Sequence, residues 1–338
     1  LVLVIALLPV LAGAEEGPTI GGQGVASSDL PVYAAASMNA VRGGDRVIYL
    51  PFVPKAWYGW VTAIAVQNLG TNPANGRIDF YDGSGAKVAS HALGELPKRG
   101  FKLVDLDDIA AIPGDFIGSA VLEGDGGTLF AAAANLDRAG SDRTGYEGFT
   151  PFDGSTTVYA PLLFKNYFGW NTVLQVQNMG GAGASVNVTY RHRDTGESWS
   201  ESFDVAPGAA RLLSQPANAQ LPDGFVGSAV VTCTNGQPLG ALVQEENGAK
   251  AMSYSGAGRG SGALSAPLLF KNYHGYISGW QIQNLGGETT TVVVTYRRTN
   301  GEGTWTASAE VQPGASVSFE QAKDPQLPDD AVFSGQAV

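Results

Sequence analysis

Pro161-Leu162-Leu163-Phe164-Lys165-Asn166-Tyr167 returns as Pro267-Leu268-Leu269-Phe270-Lys271-Asn272-Tyr273 and, in shorter form, as Leu50-Pro51. The equivalent prolines Pro51, Pro161 and Pro267 stand 110 and then 106 residues apart. A fixed internal period means strung or stacked modules. This one is too long for a propeller blade or a solenoid turn and suits one small β-domain per copy.

Working outward from that stretch, each copy continues with a Gly-aromatic step and a segment ending in Gln-Asn: Gly59-Trp60 to Gln67-Asn68, Gly169-Trp170 to Gln177-Asn178, and Gly275-Tyr276 to Gln283-Asn284. Ile64 and Val66 align with Leu174 and Val176 and with Trp280 and Ile282, while Ala65, Gln67, Gln175, Gln177, Gln281 and Gln283 take the alternate places. This period of two predicts a strand with one face in a core and a polar face in water. The next strand carries Ile78 and Phe80, Val188 and Tyr190, or Val294 and Tyr296. Turn residues follow at Asp82-Gly83-Ser84-Gly85, Asp194-Thr195-Gly196 and Asn300-Gly301, so the chain reverses into a hairpin partner. A last shared signature is Phe116-Ile117-Gly118-Ser119-Ala120-Val121, repeated as Phe225 to Val230 and more loosely as Phe333 to Val338.

About seven short strands per hundred residues, with no helical period, predict an all-β chain of tandem immunoglobulin-like antiparallel β-sandwich domains. The boundaries read as a signal peptide over 1–14, truncated at its start, an N-terminal segment with one strand over 15–46, and repeats over 47–150, 151–258 and 259–338, the last incomplete. The glycine run through Gly256, Gly258, Gly260 and Gly262 reads as a linker rather than a phosphate loop, because it joins no strand to a helix.

Leu1 to Ala14 is apolar and ends in Ala12-Gly13-Ala14, the pattern of a secretory signal cut after Ala14. As a helix it would span about 21 Å, short of the roughly 30 Å hydrocarbon core, so no stable membrane span is expected. The chain is therefore expected to be secreted or displayed on a cell surface. The net charge of −11 and the lack of a Lys/Arg stripe argue against nucleic acid. The single cysteine, Cys233, leaves no intrachain disulfide, so each core must hold its own domain. Cys233 reads as a small buried hydrophobe.

The chain offers little that reads as reaction chemistry. His91, His192 and His274 fall at non-equivalent places, and there is no HExxH pattern and no Gly-x-Ser-x-Gly elbow. Asp105, Asp107 and Asp108, and Asp137 with Asp142, resemble calcium-binding loops only loosely and read as solvated acidic loops. No catalytic residue, metal ligand or cofactor is assigned, and an enzyme is not expected. The sharpest functional candidate is the recurring aromatic cluster, Trp57, Tyr58 and Trp60, Tyr167, Phe168 and Trp170, Tyr273, His274 and Tyr276, whose rings could stack on sugars with avidity across copies, with Trp57, Trp60, Tyr167, Trp170, Tyr273 and Tyr276 as the ligand-binding set. The competing reading is that these rings plug one end of each domain or pack on a neighbour. Asn187-Val188-Thr189 is a glycosylation sequon placed within a strand.

Proline, an apolar pair, Lys-Asn-Tyr, Gly-aromatic and Val-Gln-Asn, followed by Leu221-Pro222-Asp223-Gly224-Phe225-Val226-Gly227-Ser228-Ala229-Val230, resemble a tandem repeat of secreted and surface proteins of bacteria. The resemblance covers about residues 47 to 338 and implies Ig-like modules outside the cell. It carries no activity and no site residues. Copy one departs, with Val53-Pro54-Lys55-Ala56 where the others have Phe-Lys-Asn, and is not expected to share a ligand contact.

Copy three stops at Val338, whereas copy two continues well past the equivalent Val230. Val32-Tyr33-Ala34-Ala35-Ala36 resembles the late strand Leu129 to Ala133, so two readings stand. Either the sequence is truncated at both ends, or the N-terminal segment of one molecule completes the last domain of the next by strand donation. The function these readings support is a non-enzymatic structural or adhesive protein of the cell exterior. Its expected partners are an extracellular glycan or envelope component, and itself through the donated strand. The alternatives are a carbohydrate-binding array built on the aromatic clusters and an accessory region of a larger secreted enzyme.

Overall fold

The computed structural model describes residues 2–9, 43–138, 142–248 and 250–338. They form an all-β chain, in which helix is confined to the one-turn 3-10 segments Leu106–Asp108, Pro151–Asp153 and Gln321–Lys323. Among the described residues no helix is long and apolar enough to cross a membrane. After β1 (Val2–Pro9), the first module contains β2 (Val47–Leu50), β3 (Trp60–Asn68), β4 (Gly76–Asp82), β5 (Lys87–Ala92), β6 (Phe101–Asp105), β7 (Gly118–Gly124), β8 (Phe130–Arg138) and β9 (Asp142–Glu147). The second contains β10 (Thr157–Lys165), β11 (Asn171–Asn178), β12 (Ala184–His192), β13 (Ser198–Val205), β14 (Ala210–Ser214), β15 (Phe225–Cys233), β16 (Leu239–Asn247) and β17 (Lys250–Ser255). The third contains β18 (Leu264–Lys271), β19 (Tyr276–Gln283), β20 (Thr290–Arg298), β21 (Thr304–Val311), β22 (Ser316–Glu320) and β23 (Ala331–Ala337).

Modules one and two repeat the same pair of four-stranded antiparallel sheets, ordered β2-β7-β4-β5 with β6-β3-β8-β9, and β10-β15-β12-β13 with β14-β11-β16-β17. In the immunoglobulin order the first strand neighbours the second and the seventh neighbours the sixth. Here these two strands have exchanged sheets: β2 pairs with β7, and β8 pairs with β3. The aligned apolar positions meet between the sheets, with Ile64 and Val66, or Leu174 and Val176, fully buried.

The chain forms two compact units, one holding modules one and two and the other holding Gly260–Val338 with β1. In the second unit the sheet β18-β23-β20-β21 faces a three-stranded sheet, β1-β19-β22, around Trp280, Ile282 and Phe333. β1 runs antiparallel to β19 with Ile5 opposite Trp280, the register in which Ala134 stands opposite Ile64 and Val243 opposite Leu174. The apolar run read as a signal peptide thus contains a strand at the place of β8 and β16. The segment read as a strand donor, Val32 to Ala36, lies outside the described residues.

The expectation of a polar, wet outer face holds on β3, where Gln67 is exposed, and is overturned on β11 and β19. Gln175, Gln177, Gln281 and Gln283 are all buried. Gln177 donates to the Gly208 carbonyl of its own module at 2.8 Å and to the Ala120 carbonyl of module one at 3.2 Å, because the outer face of β11 lies against module one. Around it, Ser119 Oγ donates to the Gly208 carbonyl, Tyr49 donates to the Met179 carbonyl, and the Thr144 and Ser253 hydroxyls bond each other. Met179 and Leu242 of module two join the core cluster of module one, and Leu212 packs against it. Gln177 and Gln283 find carbonyls and Gln281 bonds the Ser316 and Ser318 hydroxyls, while the Gln175 amide is buried without a hydrogen-bond partner, conditions that alternation in one strand does not reveal.

The shared motifs are largely explained by backbone demands. The Asn of each Gln-Asn step is buried, accepts from a glycine N–H two residues on (Gly70, Gly180, Gly286) and donates to carbonyls of neighbouring loops (Leu96, Val205, Val311). Copy one departs less than its sequence reads. Lys55 donates to the carbonyls of Ile109 and Ile112 as Lys165 does to Asn218 and Leu221 and Lys271 does to Asp324 and Leu327. Such charge-assisted bonds contribute about 1.5–3 kcal/mol each. What copy one lacks is the neighbouring pair Asn166–Asp223 or Asn272–Asp329, since Ala56 and Gly114 stand there.

In the Phe-x-Gly-Ser-Ala-Val signature the glycine allows two strands to approach. A Cβ on Gly227 would sit 2.0 Å from the Arg191 carbonyl oxygen, a fixed backbone atom, and one on Gly118 would sit 2.1 Å from that of Tyr81. Gly227→Ala is expected to lower the stability of module two by about 3 kcal/mol, the upper part of the range for forced overpacking. Urea unfolding followed by tryptophan fluorescence measures it, and an unchanged midpoint would show that the ladder yields without strain.

Candidate functional site: the aromatic hairpin tips

Each motif stretch ends in a two-residue hairpin turn. Tyr167 and Trp170 exchange backbone hydrogen bonds at 3.1 and 2.8 Å, and Tyr273 pairs with Tyr276 in the same way. Trp57 and Trp60 form the equivalent bridge. A turn this tight needs positive φ at both central positions. The second is glycine in every copy, Gly59, Gly169 and Gly275, with φ near +80. The first is Tyr58, Phe168 or His274, at φ of +45, +48 and +48. Side-chain-bearing residues in this region carry roughly 1–2 kcal/mol of strain. In all three copies that position holds a ring.

These rings point away from the modules. Phe168 is 83 % exposed and Tyr58 78 %, and His274 is also exposed. Each leans edge-on against the ring before it, with centroids 4.7 Å apart for Trp57 and Tyr58, 4.8 Å for Tyr167 and Phe168, and 4.4 Å for Tyr273 and His274. Below, Tyr167 stacks on Phe164 at 5.6 Å and Tyr273 stacks on Phe270 at 6.0 Å, so in copies two and three the tip ring stands on an aromatic pedestal rooted in a strand, while in copy one Trp57 meets buried Phe52 edge-on at 6.1 Å. Arg193 lies 6.0 Å from the Tyr167 ring centre and pairs with Asp194, and its guanidinium holds the Asp194 carboxyl below its usual range.

The six rings singled out from sequence fall into different environments. Trp57, Tyr167, Trp170 and Tyr273 are half-buried pedestal rings, and Tyr276 is 56 % exposed. Trp60 is fully buried, with Arg138 stacked 4.7 Å over its ring and reaching on to Glu246 and the Gly248 carbonyl of module two. The most exposed rings, Tyr58 and Phe168, and the exposed His274 are the middle members of the same three clusters, outside the six stacking candidates. The signal that finds them is the x-Gly pair at the centre of a hairpin, which puts x at the apex.

Other polar candidates have local duties. His192 Nδ1 accepts from the N–H groups of Asp194 and Thr195, and its ring lies edge-on to Phe225. Burial, with Lys102 nearby, lowers the basicity of His91. Asp105 caps the 3-10 turn through the Asp107 N–H, and Asp137 pairs with Arg143. Cys233 is buried, its thiol donating to Asn235. Asn187 sits inside β12, where its amide bonds the Thr189 hydroxyl. Among the described residues no three His, Cys, Asp or Glu side chains group as a metal site.

Glu245 stands apart. It occupies the inward register that Leu136 holds in module one, opposite Thr172 as Leu136 is opposite Thr62, and neither carboxyl oxygen has a hydrogen-bond partner. Burial alone pushes its carboxyl up to about 8.

No family model matches the chain, and no curated protein matches it. Among solved structures it is similar to one described as "Crystal Structure of Thermotoga maritima 1070", at 16% identity and a TM-score of 0.27, over 32% of this chain and 99% of that one. At that score the likeness says nothing of fold or function.

Phe168→Gly relieves the left-handed strain while removing a side chain that packs little, so it is expected to leave module two as stable or more stable, by up to about 1 kcal/mol. Urea unfolding checks this, and a clear loss would assign the ring to the fold. For Glu245 the unfolded carboxyl titrates near 4.5 and the folded one near 8, so the folded state holds the extra proton. The contribution of this group to stability is therefore complete below pH 4.5 and is lost as pH rises toward 8, amounting to about 3 kcal/mol by pH 7. Glu245→Leu is expected to raise the melting temperature, more at pH 8 than at pH 5. Equal gains at both values would show that the carboxyl is not buried neutral.

Proposed function

We propose that this chain is a non-enzymatic, exported protein of the bacterial cell exterior, a spacer or adhesive element made of immunoglobulin-like β-sandwich repeats. The likeness to immunoglobulin domains is one of paired, facing sheets, with the first and seventh strands exchanged. One observation carries the reading: the lysine, the asparagine and the Thr or Ser hydroxyl that recur in every copy are engaged by the backbone of their own module. Lys55, Lys165 and Lys271 hold carbonyls, Asn68, Asn178 and Asn284 brace loops, and Thr62, Thr172 and Ser278 bond Pro54, Phe164 and Phe270. A repeat conserved in this way transmits a shape rather than a reaction.

A second reading is favoured by the tips. Tyr58, Phe168 and His274 keep a ring at a backbone position where glycine is least strained, and an exposed ring on an aromatic pedestal is suited to stacking on a sugar. The three would act together as weak sites joined in one chain.

Binding of the chain to an array of extracellular polysaccharides separates the two. The spacer reading expects no retention. Retention that falls at least tenfold in the triple variant Tyr58→Ala, Phe168→Ala, His274→Ala, with unchanged melting, would replace it with the carbohydrate reading. Export has its own check, because cleavage after Ala14 would remove β1 from the mature protein. Protein recovered outside the cells should begin at Glu15, and recovery with Val2–Pro9 attached would speak against a cleaved signal.

A further inference from the structure

Module one carries, on the outward face of its β6-β3-β8-β9 sheet, an apolar surface at the positions that module two uses to bind module one. In module two that face presents Leu212, Gln175, Gln177 and Leu242 to its neighbour, and Leu212 packs beside Phe52 and Ile117. By strand register Leu103 is the equivalent of Leu212, each standing one residue before the partner of Ile64 or Leu174, and Phe101 is the equivalent of Ala210. Yet Phe101 is 76 % exposed and Leu103 56 %, with half-buried Ala63 and Ala65 beside them on β3. One large ring and one branched chain side by side, next to Ala63 and Ala65 with exposed Gln67 at the margin, form an apolar patch of the kind that soluble proteins cover.

The established contact also defines what covers such a face. On module one it is the outward face of the sheet holding the Gly-Ser-Ala-Val strand, with Pro51 and Phe52 at its rim. Module three presents the matching face on β18-β23-β20-β21. Pro267 and Leu268 stand where Pro51 and Phe52 do, but Pro267 is exposed and Leu268 is 46 % exposed. We infer that module three of one molecule docks on module one of a second copy, repeating the contact already made between modules one and two. The surfaces joined are different, so the contact does not close on itself, and copies add head to tail. This goes beyond the reading of the tips and does not depend on it.

Sedimentation velocity of the full chain over a wide range of concentrations tests the inference. Mean mass should rise with concentration. Phe101→Asp with Leu103→Asp should block association, and so should Leu268→Asp. Mixed together, the two variants should form a one-to-one dimer and nothing larger, because each keeps one intact face. All these side chains are exposed, so circular dichroism should show unchanged sheet content. A wild-type chain that sediments as the same monomer at every concentration would overturn the inference. So would association that survives the Phe101 and Leu103 changes.

Discussion

The central strand of the second sheet, β3 in module one and β11 in module two, is the constraint on which the rest depends. In module two it is buried on both sides, and the two sides are satisfied by different means, whereas on β3 the outward Gln67 is exposed. Inward, Ile64 or Leu174 fills the space between sheets by apolar packing alone. Outward, Gln177 of β11 meets polar backbone, its amide reaching carbonyls in its own module and in the preceding one. A side chain that is solvated in an isolated module thereby becomes part of an interior when modules adjoin.

That arrangement explains what could and could not be seen beforehand. The apolar half of each strand, the turns, the buried Phe225 and the repeat itself are legible because a period of two and a repeated spacing are properties of one chain segment. The outer face was misjudged because burial of Gln175 and Gln177 depends on a surface contributed by another segment, and a glutamine reads as wet unless its partners are known. The exchange of the first and seventh strands was invisible for a related reason, since strand order is decided by which edges meet and either order buries the same residues. Lys55 was hidden differently: its neighbours Pro54 and Ala56 disguise a lysine whose duty toward Ile109 and Ile112 is unaltered.

The aromatic site shows the same division. Its composition is plain in the sequence, but ring size is a poor guide to exposure. Trp60 is covered by Arg138, a residue on the neighbouring strand that is itself held by module two, whereas Phe168 has the apex of a turn. Glu245 is the opposite case. Nothing in Gln244-Glu245-Glu246 distinguishes the middle residue, and its inward direction emerges only when β16 is laid beside β11 in the register that puts Leu136 opposite Thr62 in module one.

At the three apices, tyrosine, phenylalanine and histidine have replaced one another on a common backbone, while the lysine and glycine beneath them have not changed. The frame and the presented group are therefore mechanically separate. Sequence drift at the apex leaves the architecture untouched, so a lineage can re-tool what such a chain displays, one copy at a time, without ever passing through an unfolded ancestor.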